Sequence, residues 1–440
     1  MVKQIIFIAA LITTFVVFSY TLLRLISFFK LTKPYPIKNI GKRFSLMIEV
    51  AFGQTKIFRR PFIGFIHALV FWGFCVILIG SIEIIIDGIF GLEKSLSFLG
   101  ILYDVVFGSA DVFAFIIFIA IIIFICRRLF LKIKRFSGAE LTHKNHFDAY
   151  LALSMILLLM ISLLGMNTFY MALHAEDFKG VYPVSKLIAP LFSGLSPEKL
   201  YFWHEFNWWA HILLIFVFAN MLPYSKHFHV FLSVPNVFLS RLGPLGKLPN
   251  NDIITKEIKL MMNPETAYSS TGTSDAAPER FGVKDVEDVT WKNYFDSLSC
   301  TQCGRCTDSC PAAKTGKKLS PRKIMMNLRA RMNEKGPGMV KNGKSYNDNK
   351  SLLKDYISTE EIWACTTCNA CAQECPININ QPTLIVEMRR YLVLEESSAP
   401  SGLNMIFTNI TNNGAPWQFS PEDRLLWAQE LYLNKKEKVE

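Results

Sequence analysis

Five runs of apolar residues, at about 4–24, 61–86, 105–126, 147–170 and 201–222, fill most of the first half of the chain. Each is close to or above the roughly 20 residues that an α-helix needs to cross a hydrocarbon core. Lipid offers a peptide group no hydrogen-bond partner, so a segment placed there must close its own bonds as a helix. The runs therefore predict a five-span transmembrane helical bundle over 1–232. A hydrophobic content of 51% over 440 residues is too high for one soluble globule, and the surplus sits in these runs. The first run lacks a clear n-region and a small-residue cleavage site, so it reads as a span and not as a removable signal.

The net charge of +11 falls mainly in loops beside the apolar runs, and no base-reading motif accompanies it, which argues against nucleic acid. After the first run come Lys30, Lys33, Lys38, Lys42, Arg43, Lys56, Arg59 and Arg60, opposed only by Glu49. Arg127, Arg128, Lys132, Lys134 and Arg135 follow the third, whereas the loops holding Asp87, Glu93 and Asp104, or Glu176 and Asp177, have no such cluster. Basic loops stay in the cytoplasm, so the N-terminus is expected outside the inner membrane and the C-terminal part in the cytoplasm. Residues 230–248, with Pro235 and Pro244, read as an interfacial connector and not a sixth span. Residues 264–280 have the Ser, Thr, Ala and Pro content of a linker, giving an expected connector and linker over 233–284.

Of ten cysteines, Cys75 and Cys126 lie inside apolar runs and read as packing residues. The other eight form two C-x2-C-x2-C-x3-C-P blocks: Cys300, Cys303, Cys306 and Cys310 before Pro311, and Cys365, Cys368, Cys371 and Cys375 before Pro376. In this spacing three thiolates wrap one cubane and the fourth, on a helix that the proline starts, reaches the other. One [4Fe–4S] cluster is thus expected on Cys300, Cys303, Cys306 and Cys375, and a second on Cys365, Cys368, Cys371 and Cys310. Structural zinc would prefer two separated pairs of ligands. The long interval between the blocks contains a predicted helix from Pro321 to Met332, so 285–396 is expected to be a mainly α-helical dicluster ferredoxin domain and not a compact two-hairpin ferredoxin. The fold class is all-α.

The words SCTQCGRCTDSCPA, LSPRKIMMNLR and IWACTTCNACAQECPINI, with Trp363 before the second block, resemble the C subunit of heterodisulfide reductase and its relatives among membrane-bound Fe–S oxidoreductases. Residues 403–432 resemble the segment that, in fused relatives, leads into cysteine-rich CCG domains where the substrate chemistry occurs. No further cysteines follow it up to Glu440, so that chemistry is expected on another polypeptide. A cytosolic CCG-domain Fe–S partner is expected to dock on the 397–440 tail through Trp417, Arg424 and Trp427, although a capping amphipathic helix would explain the same residues.

All eight histidines precede residue 231, and an imidazole facing the interior of a membrane bundle is a functional candidate. His143 and His146 fall in a basic loop and His174 near an outer loop, where solvation is expected. His211 and His229 would share a helix face roughly 27 Å apart if the helix ran through Pro223, with His227 pointing nearly the opposite way. His204 falls on the His211 face, beside Glu205 near the outer surface.

The stretch from Trp208 to Arg241 resembles the last membrane helix of the respiratory nitrate reductase gamma subunit and of the heterodisulfide reductase membrane subunit, and FIHALVFWGF around His67 resembles their second helix. The resemblance implies a haem b held by His67 and His229, with His211 as an alternative ligand or as part of a second haem site. Where two-haem relatives have a further histidine, this chain has Ile77. The expected function is the membrane subunit of an oxidoreductase passing electrons between quinone, haem b and two [4Fe–4S] clusters. The alternative is a membrane-anchored Fe–S redox sensor or assembly factor with neither haem nor quinone. A transporter would need paired charges or broken repeats beyond Glu83, Asp87 and Asp111.

Overall fold

The structure is a computed structural model, and it describes residues 1–131, 133–174, 177–248, 250–263 and 280–429. Lys132, Glu176, nearly all of the expected 264–280 linker and the end of the 403–432 segment lie outside the described residues. No strand occurs among the described residues, only the isolated bridges Lys33 with Thr290 and Leu353 with Ile357. The chain divides into two compact units, one of residues 1–249 and 285–385, the other of 250–284 and 386–440.

The first unit contains the five long apolar helices: α1 (Val2–Phe29), α3 (Pro61–Phe90), α4 (Ile101–Phe130), α5 (His143–Leu173) and α7 (Pro197–Met221). Shorter helices interrupt the series: α2 (Ile40–Met47), α6 (Pro183–Ile188) and α8 (His229–Phe238). Pro61 and Pro197 stand in the first turns of α3 and α7, where a missing N–H costs nothing. Their shared core is built from Phe7, Ile84, Ile117, Leu159, Trp208 and Phe216, among others. Gly88 allows α1 to approach α3, since a Cβ there would lie 2.6 Å from the Phe7 ring. Ile5, Phe15, Phe65, Ile101, Phe115 and Val217 remain exposed on the outer faces, as side chains made for lipid would.

At the end of the bundle away from the cysteines, the acidic residues close loops. Glu83 accepts from Leu96 N and Tyr103 Oη at 3.0 and 3.3 Å, and Asp87 from the backbone of Lys94 and Ser95. Asp111, fully buried, accepts from Val184 N, Ser185 N, Ser185 Oγ and Asn167 Nδ2. Carboxylates so fully occupied explain the outer loop geometry and leave the transporter reading without support.

At the other end the cysteine-bearing segment is fastened to the loops beside the bundle. Arg322, 1% exposed, holds Glu140 at 2.7 Å and donates to the Arg135 carbonyl at 2.6 Å. Arg60 pairs with Asp308, Arg59 with Glu374, Arg305 reaches the Lys56 carbonyl, and Arg329 reaches that of Pro223. Inside the cysteine-bearing part, buried Arg331 is shared between Asp285 and Asp348, and Lys335 joins Asp285 to Glu287. Buried charges are tolerated when every one is paired, as here. The helix expected from Pro321 to Met332 continues to Asn342, capped at its start by the Ser320 hydroxyl.

In the second unit, Val283 N donates to Glu387 O at 3.0 Å, and Gly282 takes φ +73° so close to that carbonyl that a Cβ would sit 2.3 Å from it. The helix Ser401–Asn413 ends at Gly414, whose carbonyl accepts from Arg424 at 3.2 Å.

Candidate redox centres

Each cysteine block is a tight turn followed by one short helix, Arg305–Ser309 in the first and Ala370–Glu374 in the second. The two blocks repeat the same backbone: Gln302 and Thr367 have φ of 55° and 54°, and Gly304 and Asn369 have 76° and 61°. The left-handed region costs an ordinary residue about 1–2 kcal/mol, which is why Gly or Asn follows the second cysteine in each block. Gly304 is needed for space as well, since a Cβ would lie 2.8 Å from the Arg135 carbonyl oxygen.

Cys306, Cys310, Cys371 and Cys375 are buried. A small cavity is lined by Cys300, Cys303 and Cys306 from the first block and Cys375 from the second, with Arg305 and Arg322 in its wall. Burial, with the neighbouring Cys303, pushes the Cys375 thiol up to about 12. Burial, followed by Cys365 and Cys310, pushes Cys371 up to about 12 as well. Such thiols stay protonated by themselves, and iron in place of the proton makes them ligands. Backbone N–H groups already point at sulfur, Thr367 N to Cys365 Sγ at 3.4 Å and Ile379 N to Cys375 Sγ at 3.3 Å. Among the described residues no three His, Cys, Asp or Glu side chains converge as a single-ion site. A cubane needs its four thiolates spread over four corners.

One detail departs from the sequence-based expectation. Pro311 does start a helix, Pro311–Lys314, but Pro376 begins a turn, and the next helix starts only at Gln381. The detour includes Asn378 at φ 58° and lets the Ile377 carbonyl accept from Asn236 at 2.8 Å.

A second cavity, of about 440 Å³, opens into the bundle next to the first block. That is within the range of roughly 300–1,000 Å³ for cofactor pockets. It is lined by His67, His211 and His229 from the membrane side and by Thr301, Gln302, Cys303 and Ile377 from the cysteine side. His229 Nδ1 lies 3.2 Å from the Lys226 carbonyl, an oxygen that can only accept. The proton is thereby assigned to Nδ1, leaving the Nε2 lone pair free to ligate. His211 is oriented the same way by the Leu159 carbonyl at 3.1 Å, with Ser162 Oγ alongside. His67 Nδ1 is buried without a hydrogen-bond partner, an orphan consistent with a ligand-binding imidazole. These residues fit a haem held between two imidazoles.

His227 lines the same cavity, contrary to the expectation that it points away, and His146 stands at its wall while staying partly exposed. The cause is the chain path: α7 stops at Met221, and two short turns over Leu222–Tyr224 and Lys226–Phe228 precede α8, so a single helical projection does not apply across Pro223. His174 and His204 lie elsewhere, on the Tyr170 carbonyl and beside Glu205. Arg128, Arg135 and Lys226 also line the cavity; in the sequence the two arginines are topology signals and Lys226 has no distinguishing mark.

Residues 296–379 match the family model of the 4Fe-4S dicluster domain. This segment is a dicluster iron–sulfur domain. The chain is similar to a probable iron-sulfur-binding oxidoreductase, FadF, of Bacillus subtilis, 30% identical over 86% of this chain and 54% of that protein. It is also similar to the EtfAB:quinone oxidoreductase of Syntrophomonas wolfei, 27% identical over 89% and 54% respectively. The C subunit of a CoB-CoM heterodisulfide reductase from Methanosarcina acetivorans is 34% identical over 24% of this chain and 52% of its own length. The chain spans about half the length of the curated relatives that it matches most fully. No solved structure matches it. The chain is similar to these iron–sulfur proteins, and its five long apolar helices make it a multi-pass membrane protein.

Proposed function

We propose that the chain is the membrane subunit of a quinone-linked oxidoreductase, carrying electrons between the quinone pool, haem b and two [4Fe–4S] clusters, to or from a cytosolic CCG-domain Fe–S protein. The observation that carries this reading is the shared cavity, into which both the membrane histidines and Cys303 face. Cys300, Cys303, Cys306 and Cys375 would hold the cluster next to that cavity, and Cys365, Cys368, Cys371 and Cys310 the other. His67 and His229 would hold the haem, which when bound supplies a one-electron centre. Ile77, in the cavity wall, offers no lone pair to pair with His211. The relative named as a quinone oxidoreductase supports the choice of quinone. The basic loops support an inner-membrane topology with the N-terminus outside and the clusters in the cytoplasm.

Purified anaerobically, the protein should show a b-type spectrum that a quinol reduces, together with the signals of two reduced [4Fe–4S] clusters. A spectrum with clusters but no haem would favour the redox-sensor alternative.

For the partner, the support is exposure: Trp417 and Trp427 are 57% and 70% exposed, large areas for a tail to leave in water. Arg424 is partly engaged with Gly414 O, so its role would be to orient the turn that presents them. Deleting 403–440 should leave haem and clusters at wild-type content while the CCG-domain protein no longer co-purifies. Retention of the partner, or collapse of the clusters, would reject this docking element.

A further inference from the structure

We propose that Arg135 is the seat for the haem propionates, an assignment that rests on the haem reading above and names the residue that would orient the porphyrin against the first cluster. The cavity shared by His67 and His229 is lined by five cationic side chains, Arg127, Arg128, Arg135, Lys226 and Arg305, and by no carboxylate among the described residues. A pocket lined by so many cations and no carboxylate suits an anionic ligand.

Two of the other cations are hydrogen-bonded, and Arg127 and Arg128 lie against the Phe136 ring. Lys226 Nζ donates to the Asn145 carbonyl at 2.6 Å, and Arg305 to that of Lys56 at 2.9 Å. Arg135 is different, since its Nε and Nη1 are buried with no hydrogen-bond partner. Its guanidinium lies 5.0 Å from the centre of the Phe136 ring, and its carbonyl is fixed by Arg322, itself anchored on Glu140. The group is thus held in place and unsatisfied. Burial, with Arg60 next, lowers its pKa to about 10, so it remains a cation at neutral pH.

Two anions could satisfy it, the cluster's thiolates or a ligand in the membrane cavity. The walls favour the second: Arg305 and Arg322 line the cradle of Cys300, Cys303, Cys306 and Cys375 and Arg135 does not, although Cys303 borders both cavities. Arg135 lines the histidine cavity. Porphyrin carboxylates match the two parallel N–H groups of a guanidinium, which a point-charge lysine matches only in part.

The full-length protein carrying Arg135→Gln tests this. Removing a positive charge beside the porphyrin favours the ferric state, so the haem midpoint should fall by about 59 mV, a tenfold change in a one-electron equilibrium. Haem occupancy should fall with it, while the cluster EPR signals stay unchanged. Arg135→Lys, which keeps the charge, should recover most of the midpoint. Reconstitution with haem dimethyl ester, whose propionates carry no charge, should bring wild type and Arg135→Gln to the same occupancy. The proposal is overturned by an unchanged haem midpoint and occupancy, by a shift confined to the clusters, by a gap that persists with the ester, or by loss of haem from Arg135→Lys as well. Absence of a b-type spectrum from the wild type would be a failure of the haem reading itself and is seen before any variant is made.

Discussion

His229→Ala should abolish the low-spin b-type spectrum, and His67→Ala should do the same, with iron and sulfide content unchanged in both. Alanine offers iron no lone pair. The tautomer makes the His229 prediction specific, because its Nδ1–H is committed to the Lys226 carbonyl at 3.2 Å and Nε2 remains as the donor. His227→Ala should spare the spectrum, since that ring is tied to Ser225 Oγ at 2.9 Å and lies 3.9 Å from Asp148. Difference spectra of reduced minus oxidised membranes read all of these. Loss on His211→Ala with retention on His229→Ala would transfer the ligand role to the His67 and His211 pair. Retention in every single variant would reject the site.

Which parts of this arrangement the sequence could reveal follows from how local each signal is. The five spans were legible because the length of an apolar run is a local property, and the ends moved only modestly, as in α5, expected at 147–170 and found at His143–Leu173. The cysteine turns were legible for the same reason, and Gly304 and Asn369 mark the left-handed positions within them. The break between α7 and α8 was signalled only by Pro223, and a helical projection carried across it misplaced His227. Pairings such as Arg331 with Asp285 and Asp348, or Arg322 with Glu140, join distant positions and have no local signature. Arg135 shows the limit most clearly. In sequence it belongs to a topogenic basic cluster, and only the folded chain places its guanidinium in a cavity wall with Nε and Nη1 buried and unbonded.

Cys310→Ala should remove the cluster held mainly by the second block, although Cys310 sits in the first. Two identical blocks can be filled in two ways, each block serving its own cluster or each lending its fourth cysteine to the other. Cys375 lies in the wall of the cradle made by Cys300, Cys303 and Cys306, and Cys310, after burial and Cys365, pushes the Cys371 thiol up, so exchange is the arrangement this packing favours. The short helices that follow the turns, Arg305–Ser309 and Ala370–Glu374, pack together, and Ser309 Oγ reaches the Ala370 carbonyl at 3.4 Å. In the exchange reading each fourth cysteine is carried across to its partner's turn. Wild type should contain about eight iron and eight acid-labile sulfides per chain, and Cys310→Ala about half of each. The decisive measurement is which EPR signal disappears. Exchange requires Cys310→Ala to reproduce the defect of Cys365→Ala, and Cys375→Ala that of Cys300→Ala. If Cys310→Ala instead matches Cys300→Ala, each block serves its own cluster and the crossed assignment is wrong; if zinc replaces iron in the wild type, both assignments are.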